Sequence, residues 1–294
     1  MVWVLLVAFA TGLIVALQPE NGVKPSWNQL VGEYATLDYQ TLARTIVKYH
    51  ETQPNRIDVT FTSELNDTVN GLLLLPHDQQ TPVPVVLLFH GLGGTRDEIV
   101  EAFGDEILHR GMAVFALDLP LHGARAAGPV DLHDNLTIRR VMYNGVRDWL
   151  VAIEWLGIQT AVESASITLL GYSLGSMIGV IAGALHPGIS ALALCVGGDA
   201  VLPRTARLPR RLRRLAWPIA PSLFAPKIAP RPVLMLNGLQ DEVVQPAHAE
   251  LLWANLGEPR EIRWYNSGHR LPDEAGRYAV QWLQHHTAAR ANDI

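Results

Sequence analysis

Three residues whose types can act together in acyl transfer stand far apart in this chain of 294 residues: Ser173, Asp241 and His269. A serine hydroxyl is a weak nucleophile, so it needs a histidine to take its proton and a carboxylate to orient that histidine. Taken singly, a loop aspartate usually forms a turn and a loop histidine usually faces solvent. The set is therefore informative only if the fold brings the three side chains together.

The serine lies at the centre of Gly171-Tyr172-Ser173-Leu174-Gly175. The apolar run 166–170 before this pentapeptide predicts a buried strand, and the run 176–185 after it predicts a helix. Gly-x-Ser-x-Gly in that context is typical of a tight turn that exposes the serine hydroxyl at a helix N-terminus. Developing negative charge is stabilised there. The alternative is a strand-to-helix turn whose glycines serve packing alone.

The other two residues each follow a predicted strand. The run 232–237 leads to Asp241, and the run 261–265 leads to the loop that holds His269. Because ligands bind beyond the carboxyl ends of parallel strands, we expect all three side chains to meet at that edge of the sheet. Glu242 is the rival acid, and Asp241 is preferred because it lies nearer to the strand end.

A glycine-rich loop, His90-Gly91-Leu92-Gly93-Gly94, follows the buried run 83–89. Its backbone is a candidate for the oxyanion hole, in which two N–H groups face the oxygen of a tetrahedral intermediate. The predicted donors are the amides of Leu174 and Leu92, with Gly91 as the alternative to Leu92. His90 is predicted to hold this loop, and the candidates for contact with substrate are Gly91, His122 and Tyr172.

The elements that must position these residues alternate between strands and helices. A hairpin is predicted at 56–62 and 69–75, and a helix is predicted before it at about 39–49. Further strands are predicted at 113–118 and 191–196, and further helices at 96–111, 137–156, 247–256 and 274–288. This alternation predicts a mostly parallel, doubly wound α/β sheet with antiparallel N-terminal strands. It spans one domain, 56–294, after an N-terminal extension at 20–55.

A proline- and arginine-rich stretch, about 199–230, interrupts the alternation and is predicted to be a small cap insertion. Arginines 207, 210, 211 and 214 share one helical face, which either touches anionic lipid or acidic substrate, or is simply solvated. Trp217, Leu223 and Phe224 are candidates to line an apolar acyl site.

Residues 2–17 form an almost unbroken apolar run within an N-terminal segment, 1–19. Its length suits the core of a signal peptide or a marginal membrane anchor, so export or membrane association is predicted. Against both, no Lys or Arg precedes the run and no clean cleavage site follows it. The alternatives are a helix packed on a cytoplasmic domain and a start codon placed too early.

Composition excludes several classes of function. The net charge of −5 gives no overall basic field for nucleic acid, and no phosphate-binding loop with Lys-Ser/Thr is present. The one cysteine, Cys195, rules out an intramolecular disulfide and a zinc cluster of cysteines. It lies in an apolar run, which favours a packed, inert thiol over a catalytic one.

The chain resembles the α/β-hydrolase superfamily over residues 56–290. The resemblance rests on the glycine-rich loop 90–94, the pentapeptide 171–175, and the Gly238-Leu239-Gln240-Asp241 and Gly268-His269 stretches. The stretch 118–125 is similar to the Asp-x-Pro-x-His-Gly-x-Arg segment of small bacterial esterases grouped with dienelactone hydrolases and prolyl-oligopeptidase-like hydrolases. Dienelactone hydrolases proper use a cysteine nucleophile where this chain has Ser173, which disfavours lactone opening.

The resemblance implies the α/β-hydrolase fold and hydrolysis of a small-molecule carboxylic ester, of short to medium acyl chain, without metal or organic cofactor. Two other hypotheses stay open at this point. One is an amide or peptide hydrolase that uses the same three residues, since both reactions pass through the same kind of intermediate. The other is a membrane-tethered binding protein that kept the fold and lost turnover.

Overall fold

The computed structural model describes residues 25–50, 55–77, 82–126, 128, 134–201 and 214–291. The predicted apolar segment 1–19 lies outside the described residues. The strands are β1 (Val47–His50), β2 (Arg56–Thr62), β3 (Thr68–Leu74), β4 (Val83–Phe89), β5 (Ala113–Leu117), β6 (Val162–Tyr172), β7 (Ile189–Cys195), β8 (Val233–Gly238) and β9 (Arg260–Tyr265). The helices are α1 (Trp27–Val31), α2 (Tyr39–Ala43), α3 (Arg96–His109), α4 (Asn135–Leu156), α5 (Leu174–Leu185), α6 (Pro221–Phe224), α7 (Pro246–Asn255) and α8 (Asp273–Ala291).

The strands form one sheet in the order β1-β2-β3-β5-β4-β6-β7-β8-β9. The pairs β1–β2, β2–β3 and β3–β5 are antiparallel, and every later pair is parallel. This topology confirms the predicted α/β-hydrolase fold with its antiparallel N-terminal strands. The carboxyl ends of β4, β6, β8 and β9 consequently meet at one edge of the sheet, which is where the candidate residues follow them.

Helices cover both faces of the sheet, so its central strands are buried on both sides. Helices α3 and α8 pack on one face, over a core that includes Leu88 and Leu170. Helices α4 and α5 pack on the other face, where the ring of Trp149 stacks on Phe89 at 3.8 Å between centroids. Continuous apolar runs, as opposed to alternating ones, are what strands in this position require.

The prediction of a helix at about 39–49 was wrong over its second half, which contains a strand. The helix expected at about 39–49 ends at Ala43, and Val47–His50 instead form β1, which pairs with β2. The β-branched run Thr45-Ile46-Val47 loses side-chain freedom in a helix and suits a strand, so strand pairing prevails there.

The described part of the predicted cap, 214–228, is a series of short helices: a 3₁₀ helix at Arg214–Ile219, then α6, then a 3₁₀ helix at Ala225–Lys227. These pieces pack against α4, α5 and α7. Phe224 is fully buried between Trp27 and Tyr34, so the prediction that it lines an acyl site was wrong. The arginines between 204 and 213 lie outside the described residues.

Among the helices that the structure describes, none has the length and hydropathy needed to cross a membrane.

Candidate active site

The turn at Ser173 joins β6 directly to α5. Its backbone has φ 54° and ψ −115°, a strained conformation for a residue with a side chain. A Cβ on Gly175 would lie 2.0 Å from the carbonyl oxygen of Phe89, and one on Gly171 would lie 2.7 Å from the backbone of Ser176. Neither collision can be relieved by a side-chain movement. The two glycines are therefore required by the backbone path of the turn itself.

The structure brings the three residues singled out in the sequence into one hydrogen-bonded chain. His269 Nε2 lies 2.9 Å from Ser173 Oγ, and His269 Nδ1 lies 2.8 Å from Asp241 Oδ2. Asp241 is 2% exposed, and its second oxygen accepts hydrogen bonds from the amides of Val243 and Val244. The carboxylate is thus fixed in place by backbone donors.

Glu242, the rival acid, is exposed to solvent, and the structure places Asp241 alone of the two against the histidine. The local reason is the turn after β8. Asp241 accepts from the amides two and three residues ahead, so its side chain folds back toward the sheet edge and the next side chain points outward.

The hydroxyl of Tyr172 forms hydrogen bonds with the loop that carries His269, and the sequence does not predict these contacts. It donates a hydrogen bond of 2.8 Å to the carbonyl oxygen of His269 and accepts one of 3.4 Å from the amide of Leu271. Burial raises the pKa of Tyr172 to about 12, so the phenol stays protonated as a donor. The residue before the nucleophile therefore holds the loop that carries the histidine, whereas the sequence predicts it as a substrate contact.

His90 fastens the glycine-rich loop. Its Nδ1–H donates to the carbonyl oxygen of Gly91 at 2.7 Å, and its Nε2 accepts from the amide of Leu119 at 3.0 Å. Burial lowers the pKa of His90 to about 4, so the ring is neutral at pH 7 and can make both bonds at once.

The glycine-rich loop passes close to the nucleophile. A Cβ on Gly91 would lie 3.4 Å from the carbonyl oxygen of Tyr172 and 3.5 Å from Ser173 Cβ. Gly91 also accepts a hydrogen bond from the amide of Gly94, and Gly93 has φ +75°, so the loop is a tight turn. This proximity supports the loop as an oxyanion site. The choice of Leu92 over Gly91 as the donor stays a prediction.

The side chain of Arg125 is fully buried and forms ion pairs with Asp67 at 3.0 Å and with Asp148 at 2.7 Å. It reaches Asp118 at the backbone carbonyl and does not pair with the Asp118 carboxylate. Arg125 instead ties the loop after β5 to the β2–β3 turn and to α4. The Asp118 carboxylate accepts from backbone amides, including that of Ala124.

His122, a predicted substrate contact, is 3% exposed. Its Nδ1–H donates to the carbonyl oxygen of Pro120 at 2.8 Å, and burial lowers its pKa, so the ring is neutral at pH 7. Its Nε2 has no hydrogen-bond partner among the residues that the structure describes. This geometry agrees with a structural role in the loop, and contact with substrate stays a prediction.

Cys195 ends β7 and is 1% exposed. Burial raises its pKa to about 12, so the thiol is protonated and unreactive at neutral pH, as expected of a packed cysteine. Among the described residues, no group of three His, Cys, Asp or Glu side chains is placed to hold a metal ion.

A cavity of about 490 Å³ lies beside the site, between the N-terminal halves of α3 and α8. Its wall includes His90, Gly91, Tyr172 and Arg270, each of which is a chain neighbour of a candidate catalytic or oxyanion residue. Ser173 and His269 themselves do not line it. The cavity is therefore adjacent to the nucleophile but separated from it by the Tyr172 ring and the glycine-rich loop.

Comparisons with known proteins agree with this architecture. The family model described as the alpha/beta hydrolase fold matches residues 84–229. No curated protein matches the chain in sequence. Similar solved structures include an acetyl xylan esterase from Paenibacillus sp. R4, at 16% identity over 90% of this chain and 96% of that chain, with a TM-score of 0.71. Another is acetyl xylan esterase 1 from Thermoanaerobacterium sp. JW/SL YS485, at 17% identity, 90% and 95% coverage, and a TM-score of 0.68.

A third similar structure is a cold-adapted esterase from an Arctic intertidal metagenomic library, at 20% identity, 81% and 97% coverage, and a TM-score of 0.63. At such identities the likeness concerns the fold. The family match covers β4 through the short helices after β7, which is the part of the sheet that holds the glycine-rich loop and the serine turn. The family match and this topology together show that the chain has the α/β-hydrolase fold.

Proposed function

We propose that this protein is a serine hydrolase that cleaves carboxylic esters through an acyl-enzyme. The observation that carries the proposal is the continuous chain from Asp241 through His269 to Ser173, with 2.8 Å and 2.9 Å between successive partners. Both distances are within hydrogen-bond reach, so His269 can take the Ser173 proton while Asp241 orients the ring.

In the first half-reaction, Ser173 Oγ attacks the ester carbonyl carbon while His269 Nε2 takes the hydroxyl proton. Asp241 accepts the Nδ1–H hydrogen bond, which fixes the tautomer and stabilises the imidazolium that forms. The amides of Leu174 and Leu92 hold the oxyanion of the tetrahedral intermediate. The bond to the alkoxide then breaks, and the alcohol leaves with the proton that His269 returns to it.

In the second half-reaction, water replaces the alcohol. His269 takes a proton from water as the hydroxide attacks the acyl carbon, and the same two amides hold the second oxyanion. The ester bond to Ser173 breaks, Oγ regains the proton, and the free carboxylic acid departs. Every group required belongs to this chain, so the scheme needs no metal or organic cofactor.

Small-molecule esters are the substrate class that the similar structures favour. Three structurally similar proteins are named as esterases, two of them as acetyl xylan esterases, which supports esters over amides. The likeness of 118–125 to the dienelactone-hydrolase-like group points the same way. We therefore propose small-molecule esters of short to medium acyl chain.

The test is hydrolysis of p-nitrophenyl esters from acetate to decanoate by the purified protein, with Ser173→Ala as the variant. We expect turnover that is strongest toward the shorter chains and nearly absent in the variant. Ser176→Ala is the matched control, because Ser176 lies three residues away, is fully buried, and its hydroxyl contacts the carbonyl oxygens of Gly171 and Cys195.

Two results would reverse the proposal in different ways. An aminoacyl p-nitroanilide cleaved faster than any ester would make the protein an amide hydrolase on the same residues. Failure of a fluorophosphonate probe to label Ser173 would favour a binding protein without turnover.

Localisation is a separate proposal, because residues 2–17 are its sole support. We propose export or membrane attachment through this apolar run. Fractionation of cells that produce the full chain tests it, with a chain that begins at residue 20 as the comparison. Equal recovery of both in the soluble cytoplasmic fraction would refute it.

A further inference from the structure

The cavity between α3 and α8 has the size of a ligand site. Its volume of about 490 Å³ falls inside the range of about 300–1,000 Å³ that is typical of small-molecule pockets. Its inner wall is apolar and includes Ile99, Phe103 and Val280, with the Tyr172 ring and Leu271 toward the catalytic side. A molecule with an apolar body of medium size would find a matching surface there.

Two arginines, Arg270 and Arg277, line the same cavity, and both are exposed. Neither forms an ion pair with any other described residue. By contrast, Arg110 forms an ion pair with Glu106, and Arg263 forms one with Glu261. The cavity thus has an apolar interior and two guanidinium groups free to bind an anion.

Three acidic residues also line the cavity, and two of them are engaged elsewhere. Glu98 accepts a hydrogen bond from the amide of Thr95 in the capping box of α3. Glu106 pairs with Arg110. Asp273 is the first residue of α8 and forms no ion pair with a described residue. A backbone amide does not neutralise the Glu98 carboxylate, so the lining charges outside an ion pair with a described residue are two positive, Arg270 and Arg277, and two negative, Glu98 and Asp273. A carboxylate ligand would pair with the two arginines.

From these contacts we propose that the cavity between α3 and α8 is a second ligand site, which takes an amphiphilic carboxylate with a medium-length apolar body. The tail lies against Ile99, Phe103 and Val280, and the carboxylate lies between Arg270 and Arg277. The site is distinct from the one at Ser173, and the proposal holds whether or not the protein is an esterase.

A ligand in this cavity would contact residues that position the candidate catalytic base. The Tyr172 ring and Leu271 line the cavity, and the Tyr172 hydroxyl holds the carbonyl of His269 and the amide of Leu271. A ligand packed against these two side chains therefore stabilises the loop that carries His269 in its observed position. The chemical class of the ligand is also that of the acid released by ester hydrolysis.

Isothermal titration calorimetry with sodium octanoate tests the proposal directly, since it does not depend on turnover. Octylammonium, with the same chain and the opposite charge, is the comparison ligand. Arg270→Gln/Arg277→Gln removes the two head-group partners. Arg44→Gln/Arg140→Gln is the matched control, because both of these arginines are exposed, lie away from the cavity and change the net charge equally. Ala102→Trp fills the cavity from α3.

We expect octanoate to bind one site on the wild-type protein and octylammonium to bind far more weakly. Loss of two exposed ion pairs should weaken octanoate binding about fivefold, while the control pair leaves it unchanged. Ala102→Trp should abolish binding while its thermal unfolding stays cooperative. Ala102→Ser, which leaves the cavity open, serves if the tryptophan variant does not fold, and it should bind like wild type.

Several outcomes would overturn the proposal. These are no octanoate binding up to its micellar concentration, equal binding of octylammonium, or equal weakening in the Arg44/Arg140 control. Unchanged octanoate binding in a folded Ala102→Trp variant would place the ligand elsewhere on the protein.

Discussion

Substitution of Tyr172 by phenylalanine removes one oxygen atom from the link between the nucleophile turn and the base. The hydroxyl donates to the carbonyl oxygen of His269 at 2.8 Å and accepts from the amide of Leu271. The aromatic ring, its packing and the adjacent cavity all remain. The variant therefore isolates the contribution of this contact to the position of His269.

The expected size follows from the contact that is lost. Leaving a partly buried carbonyl without its donor costs about 1–2 kcal/mol, and each 1.4 kcal/mol or so in the barrier is tenfold in rate. If that cost falls on the transition state, where His269 must hold the Ser173 proton, kcat drops about fivefold to thirtyfold. KM should change little, because the hydroxyl does not face the substrate in this arrangement.

The assay is steady-state hydrolysis of p-nitrophenyl acetate, together with the rate of fluorophosphonate labelling at Ser173. Tyr39→Phe is the matched control. The Tyr39 hydroxyl also donates to a backbone carbonyl, that of Tyr34 at 2.7 Å, and burial likewise raises the pKa of Tyr39 to about 12. We expect Tyr39→Phe to lose comparable stability and to keep wild-type kcat.

Retention of kcat within twofold by Tyr172→Phe, with a folding stability that matches that of Tyr39→Phe, would refute this role of the hydroxyl. A loss that appears in KM alone would also refute it, since Tyr172 would then be the substrate contact predicted from sequence.

Three further predictions concern the residues around this site. Asp241→Asn should lower kcat for p-nitrophenyl acetate by about four orders of magnitude by favouring the wrong tautomer of the histidine, whereas exposed Glu242→Gln should retain wild-type kcat. Arg125→Leu leaves the buried Asp148 without the arginine that pairs with it, so the free energy of unfolding measured in urea should fall by about 3–5 kcal/mol; an unchanged midpoint would contradict this. Burial lowers the pKa of His90 from 6.5 to about 4, so its contribution to stability is full above pH 6.5 and is lost as the pH falls toward 4. His90→Gln should flatten that pH dependence by up to about 3 kcal/mol, and identical slopes for the two proteins between pH 4 and 6.5 would refute it.

Much of the fold was predictable because its signals are local. Continuous apolar runs gave strands β4, β5, β6, β7 and β8 to within a few residues, since a strand covered by helices on both faces must be apolar throughout. The glycines of 171–175 predicted the tight turn because backbone collisions there involve neighbouring chain alone. The exception, β1, formed where pairing with β2 outweighed a helical pattern over 39–49.

The contacts that orient the candidate catalytic groups were not predictable in the same way. Tyr172 and His269 are 97 residues apart, and nothing near either residue signals that a hydroxyl will meet a carbonyl. Arg125 lies seven residues after Asp118, yet its guanidinium pairs with Asp67, 58 residues away, and with Asp148. Such contacts depend on how whole elements pack, which no short stretch of sequence records.

The sequence by itself therefore determined which residue types could act and in what order along the sheet edge, because strand burial and backbone sterics are decided within a few residues. Tertiary structure alone decided that Asp241 and not Glu242 reaches the histidine, and that Tyr172 holds the loop of His269. It also decided that a cavity opens between α3 and α8. These features arise where segments distant in the chain meet at packed surfaces, and their geometry is set by the whole core.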